Sequence, residues 1–390
     1  MNKPRTLLAG TGVILCFAGA ALAQTQGVTD TEIVIGTHTA LTGPVASGGL
    51  ASTNAVRLRF EQENQKGGVH GRKIRYIVED HGYQVPRAVQ AGNKLLTRDR
   101  IFAMVVALGT PMNLAVLQRQ LEMNVVNFGP FTVARSMTEP LHKLKFGVYS
   151  SYYDQIRAGL KYFVEKKGKK TPCVMYVDNE GGQEMLEGAR DQAKAMKLAL
   201  AAESAHKPTD TDFTGAITKL REAKCDLVLM GTIVRDTIIA YSTARKLGWD
   251  ATFVGSVATY GGAVASAAGG ITDGYFAMTS QPVVYSDEAS GRAKEFMEAY
   301  RARYKQDASG LEQGAYVIAD IFVEALRRAG KDLTMDSLVK ALESIDSYAN
   351  PFADGTISFS ATKHLGFDQV FLAVVEGGRW KTLEKGLKYK

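Results

Sequence analysis

The chain has 390 residues, with 47 Lys and Arg against 40 Asp and Glu, and a formal net charge of +7. Its basic residues are interspersed with acidic ones, as in 94–100 and 161–170, so the basic stripe or patch that nucleic-acid binding needs is absent. With only three cysteines, stability must come from packing rather than from a disulfide framework.

Lys3 and Arg5 precede a mostly apolar run over 7–21, and Ala21-Leu22-Ala23 has the A-x-A form that signal peptidase accepts. Residues 1–23 therefore read as a cleavable signal peptide, and the run is too short for a membrane span. The expected product is exported, soluble and periplasmic. Cleavage leaves 367 residues and, with Lys3 and Arg5 gone, 45 basic against 40 acidic residues, a net charge of +5. Cys173 and Cys225 remain, and composition leaves their pairing open. The length exceeds what one hydrophobic core usually holds, so two lobes are expected.

One pattern then repeats: a short β-branched run, a loop, an amphipathic helix. A strand is predicted at 32–35 and, after a Gly/Thr/Ser-rich loop over 36–49, a helix at 51–64. There Ala55, Leu58 and Phe60 mark the apolar face, and Arg57, Arg59, Glu61 and Glu63 are expected to face water. Strand 73–78, helix 86–97, strand 101–107, helix 112–123 and strand 125–128 continue the series, with Pro86 suited to a first helical turn. A second series begins near 155: helix 155–166, strand 172–177, helix 183–196, strand 198–202, helix 214–223, strand 226–230, helix 236–247 and strand 252–254. Helices at 287–304, 312–329 and 334–344 follow, and the tail 355–380 alternates like strands. Strands separated by helices imply βαβ units. The fold class is α/β, with two doubly wound parallel-sheet lobes whose ligand site lies at loops leaving the strand carboxyl ends.

Those loops carry no recognisable catalytic set. Gly36, Gly43, Gly48 and Gly49 lack dinucleotide spacing, and neither the phosphate P-loop nor the G-x-S-x-G elbow occurs. Ser47 has only His38 as an imaginable base, and nothing local orients it, so a polar contact or helix cap is the better reading. No histidine or cysteine spacing suits a metal. Neither enzyme activity nor a cofactor is expected. What remains is Leu41-Thr42-Gly43-Pro44, Leu108-Gly109-Thr110-Pro111 and Gly129-Pro130-Phe131-Thr132. If they converge, these turns make a carboxylate pocket of hydroxyls and backbone amides without an arginine.

Ile33-Val34-Ile35-Gly36, Leu41-Thr42-Gly43-Pro44, Glu63-Asn64, Lys66-Gly67-Gly68 with Gly71, Glu79-Asp80, 105–110, 125–130, 224–231 and the tail from Gly366-Phe367 to Trp380 carry a resemblance. The chain resembles the branched-chain amino acid group of periplasmic ligand-binding proteins of type I fold, which serve ABC importers. The resemblance spans essentially the whole mature chain. It implies two lobes joined by three hinge crossings, near 147–150, 278–284 and 358–365, closing on a ligand like jaws. Lobe 1 would comprise 24–147 plus 285–357, and lobe 2 would comprise 148–284 plus 358–390. A small-molecule ligand, a membrane ABC permease and a monomeric state are likewise implied.

The family's carboxylate-holding hydroxyl falls at Thr110, beside Gly109. Phe131 and Thr132 stand where an alanine–x–threonine pattern is usual, so Thr132 substitutes for it and Phe131 forms a wall. Gly182 and Ile233 occupy positions usually aromatic, and Val257 occupies that of the acid pairing an amino acid's ammonium. Two readings stay open: another acid, Glu312 or Asp236, takes over that pairing, or the ligand has no ammonium. Room left by Gly48 and Gly182, near Phe131, Tyr149 and Tyr152, suits an aromatic or larger carboxylate. A ligand-sensing receptor of the same fold and a periplasmic hydrolase using Ser47 are the competing functions.

Overall fold

The computed structural model describes residues 25–389, and the predicted signal peptide lies outside the described residues. The first series is β1 (Glu32–Thr39), α1 (Ala46–Gln65), β2 (Lys73–Asp80), α2 (Val85–Asn93), β3 (Ala103–Val105), α3 (Thr110–Glu122), β4 (Val126–Phe128) and β5 (Lys145–Phe146). The second is α4 (Tyr152–Lys167), β6 (Pro172–Val177), α5 (Glu180–Ala195), β7 (Glu203–His206), α6 (Thr214–Glu222), β8 (Leu227–Gly231), α7 (Val234–Lys246), β9 (Thr252–Gly255), α8 (Gly262–Ala265) and β10 (Phe276–Thr279). Then come α9 (Gly291–Tyr304), α10 (Gly310–Ala329), α11 (Met335–Glu343), a small β11–β12 pair (Tyr348–Ala349, Thr356–Ile357), β13 (Val370–Glu376) and β14 (Arg379–Leu387).

Two sheets result, in the orders β2-β1-β3-β4-β5 and β14-β13-β10-β9-β8-β6-β7. The first is wholly parallel, and the second is parallel except for β13 and β14. The chain passes to the second sheet after β5, returns to the first lobe after β10, and crosses again between β12 and β13. Alternation along each strand explains the layering. Ile33 and Ile35 pack under α1 and α10 while Val34 joins Leu95, Leu96 and Val116 on the opposite face. In β6, Cys173 and Met175 face one core and Val174 the other. Cys173 and Cys225 are both buried and disulfide-bonded, which closes the pairing question.

Several boundaries differ from the expectations, each for a physical reason. β1 continues through Gly36–Thr39 because it pairs with β2 as far as Thr39 opposite Asp80, and Leu108 N–H donates to His38 O. The helix after it starts at Ala46, not 51. Its two glycines sit in the first turns, and a Cβ on Gly49 would fall 1.9 Å from Ala40 O. The apolar run 198–202 is not a strand: the edge strand is the more polar β7 that follows it, as suits a sheet edge. β10 was not foreseen, yet it lies between β9 and β13.

Arg59 and Glu63 do not face water. They are buried between α1 and α10, beside the partly buried Asp320: Arg59 Nε lies 2.5 Å from Asp320 Oδ1, Arg59 Nη1 3.1 Å from Glu63 Oε2, and Arg327 Nη2 2.6 Å from Glu63 Oε2. Burial opposes ionisation of Asp320, but the Arg59 guanidinium and the Tyr348 hydroxyl overcome it and hold the carboxyl below its usual range.

Candidate ligand-binding site

The carboxyl ends of the parallel strands from both sheets meet around one cavity of about 140 Å³. Six helices begin there: α1 through Ser47 and Gly48, α3 through Thr110, α4 through Tyr152, α5 through Gly181 and Gly182, α7 through Val234, and α10 through Gly310 and Leu311. The first N–H groups of a helix lack intrahelical partners and carry a partial positive charge. On α1, α3 and α7 no side chain caps them. Among the described residues lining the cavity there is no Asp, Glu, Lys, Arg or His. Its wall is apolar and aromatic, with hydroxyls and amides at intervals.

The polar centre is a hydroxyl pair. Thr110 Oγ1 and Thr132 Oγ1 lie 2.6 Å apart, both buried. Their loops are tied by Gly109 N–H donating to Phe131 O and Phe131 N–H donating to Ala107 O. Gly109 has φ +93°, a conformation that favours glycine, and a Cβ there would press on Tyr83 and on Met112 Sδ. His81 supports this loop from beneath. Its Nδ1 accepts from Tyr83 N–H at 3.0 Å, so Nε2 is the protonated nitrogen and donates to Leu108 O at 3.2 Å. Burial lowers its pKa to about 4, so the ring is neutral near pH 7.

Asp80 pins the mouth of the first loop, accepting from Leu41 N–H, Thr42 Oγ1, Gly82 N–H and Arg87. Burial alone would raise its carboxyl; the donors, led by the Thr42 hydroxyl, bring it down to about 2. From the other lobe, Asn179 caps α5 by accepting from Gly182 N–H at 3.0 Å, and donates across the cleft to Tyr83 OH at 3.3 Å. Gly181 allows closer approach still, because a Cβ there would stand 2.9 Å from Thr110 Oγ1.

A family model described as periplasmic binding protein matches residues 32–379. The chain belongs to the periplasmic binding protein family. A relative of this binding protein is the leucine-, isoleucine-, valine-, threonine- and alanine-binding protein of Pseudomonas aeruginosa PAO1, 23% identical over 84% of each chain. A fatty acid ABC transporter substrate-binding protein from Thermomonospora curvata is 26% identical, with TM-score 0.83 over 94% of both chains. A branched-chain amino acid ABC transporter protein from Thermus thermophilus with bound valine is 20% identical, with TM-score 0.85 over 93% of this chain and 97% of that one. The fold is thus the type I periplasmic-binding fold.

In this binding protein Gly48, Gly109, Thr110, Phe131, Thr132, Tyr152, Gly182, Ile233 and Val257 all line the cavity, with Ser47 exposed at its mouth. Ser47 does not cap α1, whose N-cap is Val45, and the buried His38 nitrogens have no hydrogen-bond partner, so the two form no nucleophile–base pair. Gly48 leaves room, since a Cβ there meets nothing closer than 3.9 Å. Gly182 does not: its missing side chain points at Val177 O, 1.9 Å from an ideal Cβ, so the backbone approach requires glycine.

Glu312 is absent from the lining. Its carboxylate turns back to accept from Ser309 N–H at 2.9 Å and Ser309 Oγ at 2.5 Å, closing a capping box at the start of α10. The S-x-x-E spacing of Ser309 and Glu312 is a sequence signal for that use. Asp236 is fully buried and already bonded to His206 Nε2 at 2.9 Å and to Arg235. Neither acid reaches the cavity. Tyr83, Asn179, Tyr260 and Gln281 also line it and were not foreseen. Gln281 follows the unforeseen strand β10, and Tyr83 sits at a left-handed turn (φ +60°) after Gly82. No metal-holding group of three or more His, Cys, Asp or Glu occurs among the described residues.

Proposed function

We propose that this protein is the extracytoplasmic solute-binding component of an ABC importer. It acts as a monomer that closes its lobes on a small carboxylate lacking an ammonium group and delivers it to a membrane permease. The observation that carries this reading is the uncharged lining. A carboxylate is served by the Thr110–Thr132 hydroxyl pair and by the helix N-termini. An ammonium would be buried with no anion beside it, at a cost of several kcal/mol. The size favours a single ring: a dry apolar cavity of about 150 Å³ takes up benzene in another protein. Gly48, Phe131 and Tyr152 supply the room and the flat walls.

The test is a thermal-shift and calorimetric screen of leucine, valine, benzoate-type acids and medium-chain fatty acids. A ligand of the closed form raises the unfolding temperature with concentration. Benzoate-type acids are expected to stabilise and the amino acids are not; tight leucine or valine binding without benzoate binding overturns the reading. Thr110→Val is expected to weaken carboxylate binding about tenfold to a hundredfold, because hydrogen bonds to a charged group are worth about 1.5–3 kcal/mol. An unchanged Kd would remove Thr110 from the site.

A further inference from the structure

Gln281, between β10 and α9, carries a donor that the protein does not satisfy. The side chain is 4% exposed and lines the cavity. Its orientation is fixed by a chain of bonds. Phe352 N–H can only donate, so Asn350 Oδ1 accepts it at 2.9 Å and Asn350 Nδ2 faces the other way. That nitrogen donates to Gln281 Oε1 at 3.1 Å, where Tyr149 OH also lies at 3.0 Å. Oε1 is therefore the acceptor end, and Nε2 is left without a hydrogen-bond partner. Beside it, Gly314 leaves room for one further carbon in ordinary van der Waals contact. A methyl group added at the cavity-lining Gly314 would stand 3.8 Å from Nε2 and meet nothing closer than 3.7 Å. A buried donor left unmade is costly, and native sites seldom keep one without a use.

We propose that the ligand carries, besides its carboxylate, a carbonyl or hydroxyl oxygen that accepts a hydrogen bond from Gln281 Nε2. This rests on the carboxylate reading above and narrows the substrate class to ring acids bearing a second oxygen. Thr110 and Thr132, from the loops after β3 and β4, hold the carboxylate. Gln281, on the crossing after β10, reads the second group. Asn350 and Tyr149 are positioning residues that keep the amide from flipping.

The test compares 3- and 4-formylbenzoate with the corresponding vinylbenzoates, which match them in shape but lack the oxygen, using calorimetry on the mature protein. At least one formyl isomer is expected to bind about tenfold more tightly than its vinyl partner, the worth of one hydrogen bond. Gln281→Met removes the donor and is expected to abolish that preference. Gly314→Ala, which sets a methyl group against Nε2 without removing any of Gln281's bonds, is expected to do the same. Formyl and vinyl acids binding alike in the unaltered protein overturns the proposal and leaves the carboxylate reading standing, as does a preference that survives both substitutions. Failure of every ring acid, benzoate included, overturns both.

Discussion

Glu63→Ala should lower the unfolding free energy by about 3–5 kcal/mol, because it strands a buried guanidinium. Glu63 is 2% exposed and stands between Arg59 and Arg327, the latter forked onto both carboxylate oxygens at 2.8 and 2.6 Å. Without Glu63, Arg59 keeps only Asp320, which Arg292 and Tyr348 already share. The network joins the longest helices of the first lobe, α1 and α10, so the loss should appear as a lower urea midpoint for that lobe. The neighbouring Glu61 offers the contrast. It meets Arg303 at 3.4 Å on the surface, and Glu61→Ala should cost less than about 1 kcal/mol. Equal, small effects of the two substitutions would show that the buried pairs do not stabilise the lobe.

The second large effect concerns the other lobe. Cys173 lies on β6 and Cys225 just before β8, the strand paired with it, and their bond encloses 52 residues of sequence separation. Chain entropy for a loop of that size gives about 4 kcal/mol of stabilisation, since the open unfolded chain has more freedom to lose. Both sulfurs are buried in the core that also contains Phe213, Tyr241 and Phe253. The double substitution Cys173→Ala with Cys225→Ala therefore keeps apolar packing while removing the link. It should lower the denaturation midpoint of the second lobe by the corresponding amount in equilibrium unfolding. A difference under about 1 kcal/mol would show that the unfolded chain is already restricted without the bond.

The alternation of strands and helices was legible because buried parallel strands are runs of β-branched or other apolar residues, as in Ile33-Val34-Ile35 or Val174-Met175-Tyr176-Val177. Their ends were not. Gly36–Thr39 has no apolar signal and is strand only because β2 and the chain after β3 bond to it. Phe276–Thr279 is too short to announce itself, and its strand character comes from β9 and β13. Arg59 and Glu63 were misread because a polar residue on an amphipathic helix was taken to face water, whereas complementary charges on α10 hold them inside. At the site, the loop residues were readable because the doubly wound fold brings strand ends together wherever they occur in sequence. Gln281 was not, because its meaning depends on Asn350, Tyr149 and Gly314, which converge only in space. Glu312 shows the opposite error: a local capping partner three residues earlier had already claimed the carboxylate.

Among the described residues the cavity wall carries no Asp, Glu, Lys, Arg or His, so under the proposed reading no lining side chain changes charge near neutral pH. Among its lining residues, the phenols of Tyr83, Tyr149, Tyr152 and Tyr260 are pushed up by burial and so further from neutrality. The His81 imidazole, behind the loop, is neutral near pH 7. If the ligand is a carboxylic acid as proposed, the titration expected to govern loading near neutral pH is the solute's own. Such a pocket is expected to follow its ligand's ionisation near neutral pH, with His81 charging only in more acid media.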